Sequence, residues 1–179
     1  MSWTATLTEL LKFFNTLLKL RVSPEKQIQK VVSIYDTMNM VLRETSVERF
    51  LIFKAHNGGG IIKPTGELYV STLYEEFTEP FYAVKWKYQK LEVDKEYVKM
   101  LLNLIQDKVL QCKTSDLKDS MLKGLYENDG VVESKIYYLG QDKKAVYFCS
   151  CSTSTEWNPT QAENSTLDVA ISTIKQNIK

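Results

Sequence analysis

The chain has 179 residues, 44% of them hydrophobic and 25% charged, enough for one domain with a real core and too few for two comfortable ones. Lys and Arg number 23 against 22 Asp and Glu, a formal charge of +1. The global field therefore gives no reason to expect nucleic acid or an anionic membrane as partner, and the composition argues against a disordered chain.

In chain order, Leu7, Leu10, Leu11, Phe14, Leu17 and Leu18 recur at helical steps and predict an amphipathic N-terminal helix over residues 1–21. Glu9, Lys12 and Lys19 interrupt it, so it does not read as a membrane span, and no basic segment leads it as in a secretory signal. Its apolar face needs a cover: the rest of the domain, a second copy of the chain or a membrane surface. Ser23-Pro24 opens a second helix, because serine caps a free amide and proline at the first helical position forfeits no hydrogen bond. Ile28, Val31, Val32, Tyr35, Met38, Val41 and Leu42 form its expected stripe.

From Arg49 the pattern turns β-rich. Phe50 to Phe53 reads as a central strand and Leu68 to Tyr74 as its neighbour, in a hairpin centred near Ile61 to Lys63 that sets His56 opposite about Leu68. "FYAVKWKY", Phe81 to Tyr88, alternates like a strand with one wet face. Asp94 caps a helix carrying Tyr97, Val98, Leu101, Leu102, Leu104 and Ile105. "VLQC" is a candidate strand, and a short helix is expected from Ser115 to Glu127. "VVESKIYYL", the turn "GQDKK" and "AVYFCSCS" form a second hairpin, and Thr160 to Ile178 closes the chain as a helix through Leu167, Ala170, Ile171, Ile174 and Ile178. The expected fold is α+β: a central, mostly antiparallel sheet of about five or six strands flanked by helices, with residues 22–179 as a single domain behind the N-terminal helix.

Chemistry-bearing residues are few. His56 is the only histidine and is followed by Asn57, Gly58, Gly59 and Gly60. One reading is a ligand pocket built from His56, Asn57, Gly58, Ser71, Tyr74 and Glu75, with the imidazole poised near neutrality and the glycines offering amides. The other is a turn in which Asn57 and the glycines supply unusual backbone angles and the His56 ring bonds a nearby backbone group. The hairpin spacing keeps Glu75 several residues from His56. The glycine run lacks the order of a nucleotide phosphate loop. Cys112, Cys149 and Cys151 are an odd number, fit a reducing cytosolic setting, and offer poor geometry for zinc. No catalytic residues, metal or cofactor are expected from this inventory.

The C-terminal third, from "GVVESKIYYL" to the closing helix, and the helix running into "ETSVERFLIFKAHNGGG" resemble a GAF domain of the PAS/GAF sensor superfamily, over about residues 22–179. The strand ending in His-Asn-Gly, followed by one ending in Tyr74-Glu75, resembles a GAF-like subgroup from bacteria and their phages. That resemblance implies a non-catalytic sensor or interaction module acting through a homodimer or a protein partner, or a small-molecule-binding domain around His56 and Glu75. No cysteine stands beside His56 as a bilin attachment point, the cyclic-nucleotide Asn-Lys-Phe-Asp-Glu pattern is missing, and the cysteines lack the Gly-Val-Cys-Gly setting of methionine sulfoxide reductases of this family.

Overall fold

The computed structural model describes residues 23–63, 66–79 and 81–178, so the expected N-terminal helix over 1–21, with Leu7 to Leu18, lies outside the described residues. Helix α1 spans Pro24–Glu44, with the Ser23 side chain accepting from the Lys26 amide as its cap. Strands β1 (Arg49–His56), β2 (Tyr69–Phe77) and the short β3 (Leu91–Glu92) precede α2 (Lys95–Asp107) and β4 (Val109–Lys113). After a 3-10 turn at Thr114–Asp116 come α3 (Met121–Asn128), β5 (Glu133–Gln141), β6 (Ala145–Thr153) and α4 (Gln161–Asn177). The six strands form one antiparallel sheet in the order β3-β2-β1-β6-β5-β4. This is the α+β architecture the sequence implied.

Alternation along β1 builds two cores. Phe50 and Ile52 face α1 and α4, joining Ile34, Met38, Val41, Leu167, Ala170, Ile171 and Ile174. Leu51, Phe53 and Ala55 face α2 and α3, with Tyr97, Leu101, Leu104, Leu122 and Tyr126. Helices α1 and α4 run antiparallel: the Ser46 amide donates to Glu163 at the start of α4 (2.7 Å), and Asn177 near its end donates to Ser33 (3.1 Å). Glu163 also closes a capping box with Thr160, and these amide donors pull its carboxyl down to about 2. Cys149 and Cys151 share a face, as their spacing required, and both are buried in the α1/α4 core.

Several expected details differ. The stripe of α1 buries only toward its C-terminal half: Ile28 (63% exposed), Val31 and Val32 (51%) remain uncovered among the described residues. The short helix begins at Met121; of the expected earlier residues, Ser115 and Asp116 fall in the 3-10 turn and the next four are irregular. Most instructive is "FYAVKWKY", which is not a strand. Phe81, Val84 and Tyr88 are buried at steps of three and four, while Tyr82 and Trp86 are exposed. The amides of Lys87 and Tyr88 donate to the Val84 carbonyl (2.9 and 3.1 Å), and those of Val84 and Lys85 donate to the Glu75 carboxylate (2.7 and 2.9 Å). With the amides of Phe81, Val84, Lys85, Lys87 and Tyr88 spent in a capped turn, the segment cannot supply the regular alternation of a sheet ladder. Leu91–Glu92 takes the edge instead.

Candidate functional site

Register settles which expected site residues meet. His56 pairs with Tyr69, one residue beyond the expected Leu68, while Glu75 pairs with Leu51 at the far end of the hairpin. Glu75 serves the Val84 turn, and Tyr74 packs edge-on against Tyr35 of α1 at 5.4 Å. Neither belongs to the His56 cluster. A bulge between Ile52 and Phe53 shifts β2 by one residue along β1. His56, Gly58 and Ser71 do come together.

The hydrogen bonds fix the imidazole's tautomer. The Gly58 amide donates to Nδ1 (3.0 Å), so Nδ1 is the bare nitrogen, and Nε2–H donates to the Ser71 hydroxyl (2.9 Å). Gly58 and Gly59 adopt φ of +84° and +127°, which lets the chain double back over the ring it has just passed. Asn57 ties the loop by donating to the Ile61 carbonyl (2.5 Å). The expected bond between ring and backbone is thus present, in a bed that is 7% exposed.

Burial, then the positive charges of Lys54 and Lys90, lower the His56 pKa from 6.5. A histidine held neutral in the folded chain stabilises it fully above the unfolded pKa, and that contribution is lost as pH falls below 6.5, because the unfolded chain then takes the proton more readily. Urea midpoints measured from about pH 8 to about pH 5 should fall for the wild type more steeply than for His56→Gln. Equal slopes would refute the buried neutral tautomer, and with one histidine in the chain the assignment is unambiguous.

Around this cluster lies a groove of about 420 Å³ walled by Lys54, Ser71, Gln89, Lys90, Lys144 and Tyr147. A second, closed space lies between the sheet and α2/α3. It measures about 20 Å³, room for one water and far from the several hundred Å³ of a ligand pocket. Phe53, Phe148, Tyr88 and Tyr126 fill it, and Phe53 stacks on Phe148 at 5.1 Å.

That interior also holds a group sequence reasoning missed. Arg49, 2% exposed, reaches Asp129 through Nη1 (3.3 Å) and lies over the Phe81 ring (4.5 Å from Cζ to the centroid). Tyr88 donates its hydroxyl to the same Asp129 carboxylate, and burial followed by this bond raises the phenol well above its ordinary range. Ser134 and Ser150 (2.7 Å apart) and Tyr126 extend the polar line across the sheet. Arg49 shares parity with Leu51 and Phe53, so a charge on the apolar face was the available signal.

Burial raises the Cys149 thiol well above its ordinary value and Cys112 to about 11, which makes both poor nucleophiles at neutral pH. Among the described residues, no group of three or more His, Cys, Asp or Glu side chains could hold a metal, and no helix is long and apolar enough to cross a membrane.

No protein-family model matches the chain, and no curated protein does. Solved structures do. The blue-light absorbing form of the PixJ GAF domain from Thermosynechococcus elongatus superposes with a TM-score of 0.59 at 8% identity, over 87% of this chain and 86% of that one. The GAF domain of a two-component sensor histidine kinase from Bacillus halodurans gives 0.57 at 11%, over 82% and 90%. A far-red cyanobacteriochrome photoreceptor gives 0.56 at 13%, over 99% and 97%. At such identities the likeness speaks for architecture alone: the chain has the GAF-like fold.

Proposed function

We propose that the chain is a non-catalytic GAF-like sensor or interaction module that works by association, in the first place as a homodimer. One observation carries this reading: Ile28, Val31 and Val32 leave the N-terminal half of α1 greasy in the folded domain, directly after a segment bearing Leu7, Leu10, Leu11, Phe14, Leu17 and Leu18. Burying an aliphatic side chain is worth about 1.5–3 kcal/mol, so a second copy that covers the stripe gains substantially. The filled α2/α3 interior supports the same reading, since it offers no room for a metabolite.

Sedimentation velocity on the full chain tests it. The wild type should sediment as a dimer, Ile28→Lys with Val32→Lys should dissociate it by tenfold or more at unchanged circular dichroism, and a chain beginning at Ser23 should behave likewise. A monomeric wild type, or a dimer indifferent to both changes, would refute the homodimer.

A second reading, a small-molecule-binding domain, is favoured by the groove that gathers His56, Gly58 and Ser71. It includes Asn57 through the loop that Asn57 closes, and it leaves out Tyr74 and Glu75. A metabolite that raises the melting temperature of the wild type but not of His56→Ala would support it.

A further inference from the structure

The groove beside His56 carries three features that bear on what it could hold. Its rim bears the ammonium groups of Lys54, Lys90 and Lys144, and none of the three has a carboxylate within ion-pair distance among the described residues. Asp142, the acidic group lining it, is engaged: it accepts from the Lys144 amide (2.6 Å), the Ala145 amide (2.9 Å) and the Tyr147 hydroxyl (3.3 Å). The groove therefore presents excess positive charge in a concave setting, where a multiply charged anion meets several cations at once.

The second feature is backbone strain. Lys90 sits at φ +54°, a left-handed conformation that costs a side-chain-bearing residue and that glycine would adopt freely. A lysine kept there, with its amide held by the Ser71 hydroxyl (2.9 Å), is fixed at the groove's edge at the expense of stability.

The third is a spare donor. Ser71 is 3% exposed, and its oxygen already accepts twice, from His56 Nε2–H (2.9 Å) and from the Lys90 amide (2.9 Å). Both lone pairs are used, yet its own hydroxyl hydrogen finds no acceptor among the described residues. Gly59, which lines the same groove, is exposed, and its backbone amide bonds no acceptor among the described residues. A buried hydroxyl donor, the Gly59 amide and three lysines thus line one groove whose single carboxylate, Asp142, is already held by its own loop.

We propose that this groove binds the phosphate group of a small soluble molecule, with Ser71 and the Gly59 amide donating to its oxygens and Lys54, Lys90 and Lys144 balancing its charge. His56 acts through Ser71: by donating to that oxygen it turns the serine proton away from itself and toward the ligand. The proposal rests on the small-molecule reading above and narrows it to a ligand class.

The test is titration calorimetry of the full chain with inorganic phosphate and with pyrophosphate, at constant ionic strength, against chloride. Pyrophosphate should bind at millimolar concentration or below and more tightly than phosphate. Lys90→Gly is the decisive variant, because it removes the charge and relieves the strain together: its melting temperature should rise while pyrophosphate affinity falls about tenfold, a split no folding defect can produce. Ser71→Ala should weaken binding with little change in fold by circular dichroism. The proposal is overturned by no binding of either anion, by unchanged affinity in Lys90→Gly, or by binding confined to vesicles containing phosphatidic acid with none to soluble pyrophosphate. A neutral metabolite whose stabilising effect needs His56, in a protein indifferent to pyrophosphate, would overturn the phosphate class while leaving the small-molecule reading standing.

Discussion

Asp129→Ala should lower the unfolding free energy by about 3–5 kcal/mol, a large part of what a domain of this size possesses. The carboxylate is the counter-charge for Arg49 and the acceptor for Tyr88, and all three groups are buried. Its removal strands a guanidinium whose Nε already lacks a partner, leaving it only the Phe81 face, and orphans a phenol that burial has made hard to ionise. The pair itself is another matter. Desolvation offsets most of its attraction, so the double variant Arg49→Met with Asp129→Leu should lose far less than the single one. Urea denaturation of the three proteins separates these cases. A cost below about 1 kcal/mol for Asp129→Ala would mean that water reaches the pair. What the ion pair contributes is geometry: it joins the start of β1 to the end of α3 across 80 residues and pins the Tyr88 turn against the sheet.

That pin explains why some of the molecule was legible in the sequence and some was not. Elements governed by local rules were readable: the Ser23-Pro24 start, the Asp94 cap, the second hairpin, and the closing helix with Leu167, Ala170, Ile171 and Ile174 buried as its periodicity required. The Val84 turn was not, because its alternating side chains mimic a strand and the carboxylate that caps it comes from Glu75, on another element. The burial of α1 was half readable: periodicity identifies an apolar stripe, but how far along the helix α4 extends is a tertiary matter, and Ile28 and Val32 fall beyond its cover. At the site, the sequence marked His56 and the glycines through their rarity, and hairpin spacing correctly kept Glu75 away. Lys90 and Lys144 carried no signal, since lysines on β-rich segments ordinarily mean solvent; only the fold brings them to one rim.

Phe148→Ala should cost about 3–5 kcal/mol and, more tellingly, should create a binding site where the wild type has none. Phe148 is 1% exposed on the central strand β6, stacked on Phe53, which in turn lies 6.5 Å from the Tyr88 ring. The space these rings leave is about 20 Å³, so the α2/α3 side of the sheet is closed by its own aromatics. Removing one ring enlarges this space enough for a benzene-sized guest packed against Phe53, Tyr88 and Ile136, with Arg49, Ser150 and Ser152 as the polar part of its lining. Thermal melts with and without benzene should show stabilisation of Phe148→Ala alone. Stabilisation of the wild type to the same degree would show that the interior opens on its own, and would move the search for a ligand from the lysine-rimmed groove into the core. A wild type indifferent to benzene leaves the outer surfaces, the α1 stripe and the His56 groove, as the places where this domain meets other molecules.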